Sequence, residues 1–199
     1  MPQRLIIGIS GASGVIYGIR LLEVLRGVAE IETHLVVSGA ARQTIALETD
    51  YSIAAVEALA DVTYRINDIA AAISSGSYPT IGMAVVPCSM KTLAGIALSL
   101  SDNLLLRAAD VTLKERRRLI IVARETPLHL GHLRLMTQVT ELGGVIMPPM
   151  PAFYNRPRDI DELVSATVAR VLDRLDLPHT LAPEWQGTHP RVTSEHRRA

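Results

Sequence analysis

The sequence predicts a single-domain α/β fold in which a doubly wound, mostly parallel sheet carries helices on both faces. Three observations support this. Short apolar runs alternate with segments of helical periodicity at least four times along the chain, as strands do when joined by right-handed helical crossovers. Within each run the apolar residues are continuous rather than alternate, which suits strands buried on both faces. The length, 199 residues, fits one domain. A chain of that size buries about 70% of the surface its unfolded form exposes.

The elements follow in order. Residues 4–9 form an apolar run that ends in a glycine cluster, a first buried strand. From Val15 the period changes. Ile16, Ile19, Leu22 and Leu25 recur at helical spacing with Arg20, Glu23 and Arg26 between them. A second strand is predicted over 31–37 and a helix over 40–48. Residues 52–73 are alanine-rich and read as helical in pieces. A third strand covers 82–87, helices cover 90–100 and 103–113, and a fourth strand covers 119–123. The helix over 128–142 stops at Gly143-Gly144. A short last strand at 145–147 leads into a proline-rich loop, 148–157, and an amphipathic helix over 159–175. This order is that of a Rossmann-like or flavodoxin-like sheet. The domain is expected over 1–187, with 188–199 as a flexible polar tail.

Composition excludes several classes. Lys+Arg and Asp+Glu are both 20, so the formal charge is zero, and a nucleic-acid or anionic-membrane binder would need a basic excess. The one cysteine, Cys88, supports neither a disulfide framework nor a cysteine-built zinc site. Residues 69–90 carry no charge, but Ser74-Ser75-Gly76-Ser77-Tyr78-Pro79 interrupts them, which a lipid-facing helix would not tolerate. The first apolar run is too short for a signal-peptide core. A soluble, cytoplasmic protein with no membrane span is expected.

Two segments read as anion cradles. Gly8, Gly11 and Gly14 lie between the first strand and the first helix. Glycines there let an anion approach the backbone N–H groups at a helix N-terminus. Ser13 is placed to cap that helix and to donate to a phosphate. The spacing is not the dinucleotide fingerprint, and no P-loop lysine follows. The second predicted strand ends in Val36-Val37-Ser38 rather than in the acidic residue that would bind a ribose 2′-hydroxyl, so Ser38 suits a mononucleotide or phosphate. The second cradle is Pro87-Cys88-Ser89-Met90-Lys91-Thr92, at the carboxyl end of the third strand. Ser89, Lys91 and Thr92 all donate hydrogen bonds. The plainer readings are a tight strand–helix turn for the first segment and an ordinary capped helix start for the second. Cys88 reads as a buried small hydrophobe rather than a nucleophile, with no histidine nearby in sequence. Only Lys91 and Lys114 are lysines among the 20 basic residues, and both fall in candidate segments.

These segments form a longer series. Ser10-Gly11-Ala12-Ser13-Gly14, Glu48-Thr49-Asp50, Pro87 to Thr92, Arg107-Ala108-Ala109-Asp110, Leu113-Lys114-Glu115-Arg116-Arg117, Arg124-Glu125-Thr126-Pro127-Leu128 and the loop 148–157 with Phe153-Tyr154 occur in that order. In order and spacing the chain resembles the UbiX-type flavin prenyltransferases over 4–187. The resemblance implies binding of reduced FMN and dimethylallyl monophosphate, transfer of the prenyl group to flavin N5, and closure of a fourth ring at C6. The product, prenylated FMN, would go to a UbiD-type decarboxylase as its cofactor. No metal requirement is implied. A large homo-oligomer is, commonly a dodecamer, with flavin sites at subunit interfaces. Carried over residue by residue, Gly11, Ala12, Ser13, Ser38, Ser89, Met90, Lys91, Thr92 and Arg124 would contact FMN. Lys114, Tyr154 and Arg170 would meet the prenyl phosphate, with Arg107, Glu48 and Glu125 nearby. Without a metal, the departing phosphate's charge would be met by Arg, Lys and Tyr donors. Glu125 is the candidate base for the C6 proton; its plainer reading is a salt-bridged strand end.

Competing readings are an FMN-dependent decarboxylase of cysteine-type substrates with the same fold, an aromatic-acid carboxy-lyase, and a flavin carrier without catalysis. The cysteine decarboxylases use Pro-Ala-Ser-Ala-Asn-Thr and Pro-Ala-Met-Asn segments. Here Met90-Lys91 stands where Ala-Asn would, and the second stretch reads Pro149-Met150-Pro151-Ala152. A carrier would explain the cradles but not the phosphate-binding groups around Tyr154 and Arg170. Three further features carry plain readings. His129 and His132, three apart, suit a helix face better than a metal pair. The run 116–118 suits a solvated or intersubunit surface. Trp185 suits a packing anchor.

Overall fold

A computed structural model describes residues 2–182 and Gly187; the expectations for Trp185 and the 188–199 tail lie outside the described residues. Six parallel strands form one sheet in the order β3-β2-β1-β4-β5-β6. They are β1 (Gln3–Ile9), β2 (Ile31–Val37), β3 (Val62–Tyr64), β4 (Gly82–Cys88), β5 (Arg118–Ala123) and β6 (Val145–Ile146). Order reverses between β1 and β4, and ligands bind at the carboxyl side of such a switch point.

Alternate residues of each central strand serve opposite faces. Leu5, Ile7, Ile9, Ala84, Val86, Ile120 and Val122 turn to one core, which they share with α1 (Val15–Leu25), α2 (Gly39–Glu48) and α7 (Ile160–Arg174). Ile6, Met83, Val85, Leu119 and Ile121 turn to the other core. There they meet α4 (Met90–Ala97), α5 (Leu104–Lys114) and α6 (Leu130–Glu141). This two-sided burial is why the runs are continuous, and each large aliphatic side chain fully buried contributes about 1.5–3 kcal/mol. Gly18 lets α1 lie against the sheet, since a Cβ there would stand 2.3 Å from the Val86 carbonyl oxygen. Among the described residues no helix is long and apolar enough to cross a membrane.

The segment 52–73 departs from the helical expectation. It holds the short α3 (Ile53–Glu57), a 3-10 turn at Ala72–Ser74, and β3 between them. Val62 to Tyr64 pair with His34 to Val36 at the sheet's edge, where partner hydrogen bonds outweigh the alanine-rich surroundings. The basic run 116–118 is solvated at Arg116 and Arg118, which are exposed, and departs from that reading at Arg117. Arg117 is half-buried and donates to the carbonyls of Gly76 (2.6 Å) and Tyr78 (2.9 Å) and to Thr80 Oγ1 (3.3 Å). Arg118 pairs with Asp176 beyond α7. Both arginines tie the chain to itself.

Candidate active site

Strands β1, β2, β4 and β5 end side by side, and backbone hydrogen bonds lock the loops that leave them. Ser38 N–H donates to Ile9 O (3.0 Å), Ser10 N–H to Pro87 O (3.1 Å), and Arg124 N–H to Cys88 O (3.0 Å). Ser10 is buried and joins the two cradles directly. Its hydroxyl donates to Pro87 O (3.1 Å) and accepts from Ser89 N–H (2.8 Å). Sequence reasoning quoted Ser10 within the glycine motif and gave it no role. Its buried position at a strand end is the signal that was available.

The first cradle differs from expectation in its cap. Gly14, not Ser13, is the N-cap of α1, at φ 95° with no side-chain cap. Ser13 stands one residue outside the helix and is exposed. Its hydroxyl therefore has no capping role, because the left-handed turn at Gly14 displaces it from the capping position. The carboxylate at this helix start comes from Glu48, whose Oε2 accepts from Gly14 N–H at 2.8 Å, a favourable place for a negative charge. Gly11 presses the loop onto α2. A Cβ there would stand 2.3 Å from the Ala40 Cβ and 3.2 Å from its Cα.

Two other helix starts face the same edge with their caps in place. Ser38 caps α2, accepting from Ala41 N–H at 3.1 Å. Ser89 caps α4, accepting from Thr92 N–H at 3.4 Å and donating to Thr92 Oγ1 at 3.2 Å. The first N–H groups of each, including those of Met90 and Lys91 on α4, lie ahead of the intrahelical hydrogen-bond ladder, an arrangement that suits an anion. Cys88, beneath them, is fully buried and burial pushes its thiol up, so it is inert as a nucleophile at neutral pH. The reading as a small hydrophobe holds.

Arg124 and Glu125 leave the end of β5 and are exposed. Glu125 Oε1 accepts from Thr126 N–H at 2.9 Å, so this carboxylate is braced by its own loop. Burial pushes the Tyr17 hydroxyl up, opposed by a hydrogen bond with Thr167 and by the charge of Arg124. Tyr17 thus brings α1 and α7 together beside Arg124. A glycine whose Cβ would clash, two capped helix starts and an adjacent Arg fit the phosphate and ring of a flavin mononucleotide.

The remaining candidates lie elsewhere. Lys114 ends α5, four residues before β5 begins, and pairs with Glu115. The start of β5 is level with the start of β4, so Lys114 is at the opposite edge from the cradles. At about 3.3 Å per residue, the two edges of a seven-residue strand are roughly 20 Å apart. Arg107 is half-buried, donating to Ser74 O (3.1 Å) and Asp110 Oδ2 (2.9 Å). Tyr154 and Arg170 share a cavity of about 540 Å3 over α7, together with Asn155, Asp173 and His179. The single chain therefore gathers the flavin candidates with Glu48 and Glu125, and leaves Lys114 apart from them.

His129 caps α6, its Nδ1 accepting from Gly131 N–H at 3.0 Å, and its ring lies 3.6 Å from that of His132. Among the described residues, no group of three or more His, Cys, Asp and Glu side chains is arranged to hold a metal ion.

The Flavoprotein family model matches residues 1–172. A flavin prenyltransferase UbiX of Escherichia coli strain K12 is 64% identical over 187 residues, covering 93% of this chain and 99% of that protein. The crystal structure of AnUbiX (PadA1) with FMN and dimethylallyl pyrophosphate superimposes with a TM-score of 0.92 at 50% identity, covering 94% of this chain and 100% of the other. A dodecameric FMN-dependent Ubix-like decarboxylase from Escherichia coli O157:H7 gives a TM-score of 0.91 at 52% identity, covering 93% and 100%.

Proposed function

The chain belongs to the flavoprotein family and, within it, to the UbiX-type flavin prenyltransferases, and from that premise we propose how its residues divide the work. It is a transferase that uses FMN. We propose the monophosphate as prenyl donor. The C1–O bond of dimethylallyl monophosphate breaks, inorganic phosphate leaves, and C1 becomes bonded to N5 of reduced FMN in place of the N5 hydrogen; the alkene then takes a proton at C2, C3 becomes bonded to C6, and C6 loses its proton. When bound, the reduced flavin supplies the nucleophilic nitrogen N5 and carbon C6, so the protein need not provide a nucleophile.

The carrying observation is the locked carboxyl edge: Ser10 joins the two cradles, and the capped starts of α2 and α4 stand beside Arg124-Glu125. Gly11, Ala12 and Ser13 form the wall against one side of the flavin, and Ser38, Ser89, Met90, Lys91 and Thr92 the other. N–H groups and hydroxyls there hold the FMN phosphate. Arg124 meets anionic oxygen at the mouth of the site. Glu125, braced by the Thr126 N–H, takes the proton that leaves C6. Glu48 keeps the glycine loop closed through Gly14.

Lys114, Tyr154 and Arg170 meet the departing phosphate dianion, with Arg107 in support. Lys114 lies at the far edge of its own sheet, so in this proposal a second copy supplies it. A homo-oligomer of the dodecameric kind found in the Escherichia coli O157:H7 relative offers such copies. A UbiD-type decarboxylase is the proposed recipient of the product.

A mass spectrum of the flavin after anaerobic incubation with reduced FMN and dimethylallyl monophosphate tests the reading. It predicts a gain of one five-carbon prenyl unit. Unmodified FMN from folded, flavin-loaded protein contradicts it and favours direct decarboxylation, the activity named for the Escherichia coli O157:H7 relative.

A further inference from the structure

The cavity over α7 holds two groups that the assignment of phosphate ligands leaves out. Arg170 pairs with one oxygen of Asp173, its neighbour three residues on. The other oxygen accepts from His179 Nε2 at 2.8 Å. The carboxylate therefore bridges a cation and an imidazole, with a separate oxygen for each.

The backbone builds this arrangement. After α7 the chain turns sharply, with Asp176 at φ 56° and Leu177 N–H donating to Leu172 O at 3.0 Å. The turn sends Pro178 and His179 back along the last turn of the helix. His179's side chain is only 10% exposed, Asp173's is 38% and Arg170's is 64%. The series runs from a buried anchor to an exposed cation at the cavity.

An aspartate accepts and does not donate, so Nε2 of His179 carries the hydrogen. Among the described residues its Nδ1 is buried without a hydrogen-bond partner. An unmet buried polar atom is costly, and packing alone does not require one. The cost is consistent with a ring held for its other nitrogen. By holding Asp173, the ring fixes the Arg170 guanidinium, which otherwise has several rotamers to lose on binding an anion. The same hydrogen bond draws carboxylate charge away from Arg170 and leaves its other N–H groups available.

We propose that His179 and Asp173 are positioning residues that orient Arg170 toward the phosphate of the prenyl donor. The proposal rests on the reading that Arg170 meets that phosphate. It concerns donor binding, so its signature is in KM for dimethylallyl monophosphate rather than in FMN affinity.

The test is steady-state prenyl transfer by the FMN-loaded oligomer. His179→Leu should raise KM for dimethylallyl monophosphate about tenfold, the effect of losing one charge-assisted hydrogen bond, with a smaller change in kcat. His179→Gln, which keeps an N–H near the Nε2 position, should restore most of the loss. Asp173→Asn combined with His179→Leu should be no worse than Asp173→Asn alone, because the ring acts only through that carboxylate. Arg170→Ala is the control. If it leaves KM unchanged, the assignment of Arg170 to the phosphate fails and the proposal with it. If Arg170→Ala raises KM while His179→Leu does not, the proposal fails alone. Additive losses in the double variant, with no rescue by glutamine, also overturn it.

Discussion

At the carboxyl edge of the sheet the residues proposed to contact the flavin are held by main chain. Ser10, Ser38 and Arg124 each donate a backbone N–H to the carbonyl of a neighbouring strand end, and Ser38 and Ser89 are fixed as helix caps. The groups assigned to the prenyl phosphate are held by side chains. Lys114 is exposed and paired with Glu115, Arg170 is exposed and paired with Asp173, and Tyr154 is 63% exposed. One chain folding alone completes the first set. The second set depends on what is brought against it. In this proposal the flavin half is a product of the fold, and the phosphate half a product of surface chemistry and assembly.

That division can be broken in three ways. The largest effect is expected from Lys114→Ala. Prenyl transfer should fall about 10²–10³-fold, as when one donor to a developing anion is removed, while FMN affinity and thermal stability stay unchanged. Flavin titration and turnover on one preparation check both parts, and full turnover removes Lys114 from the site.

Gly11→Val comes next. Its side chain would drive the loop off Ala40, costing about 1–3 kcal/mol of stability as overpacking does. Weakened FMN retention, read by flavin fluorescence, should appear even where the protein remains folded.

The smallest effect concerns pH, away from the cradles. His34 is buried. Its Nε2 donates to Glu32 (2.7 Å) and its Nδ1 accepts from Tyr64 (2.9 Å), with Arg4, Asp61 and Tyr78 around it. Burial holds its pKa below the ordinary 6.5, against the pull of Glu32. A histidine depressed in the folded state contributes stability that is present above 6.5 and lost as pH falls through the folded value. Thermal midpoints should therefore fall on acidification below 6.5, and the fall should be smaller in His34→Gln. FMN affinity should not follow the same curve.

Much of this was readable in advance for physical reasons. Continuous apolar runs marked the central strands because both faces are buried, and β2 occupies the predicted 31–37. β3 was missed because three residues at a sheet edge show no periodicity. The candidate site residues were named from motif order. Their distribution was not, since a motif does not say which edge of a sheet a helix end reaches. The Gly14 cap depends on a positive φ, and the Arg117 clamp depends on carbonyls about 40 residues away. His179 lies outside the motifs and acts through a neighbour.

The central claim is that Lys114 serves a cradle on another copy. The most direct measurement is activity after co-assembly of Lys114→Ala and Gly11→Val subunits, each impaired alone. The account predicts recovered prenyl transfer in mixed oligomers, because some sites pair an intact cradle with an intact Lys114 from its neighbour. Mixed oligomers no more active than the two parents assembled separately would place Lys114 and the glycine loop in the same subunit's site and contradict the account.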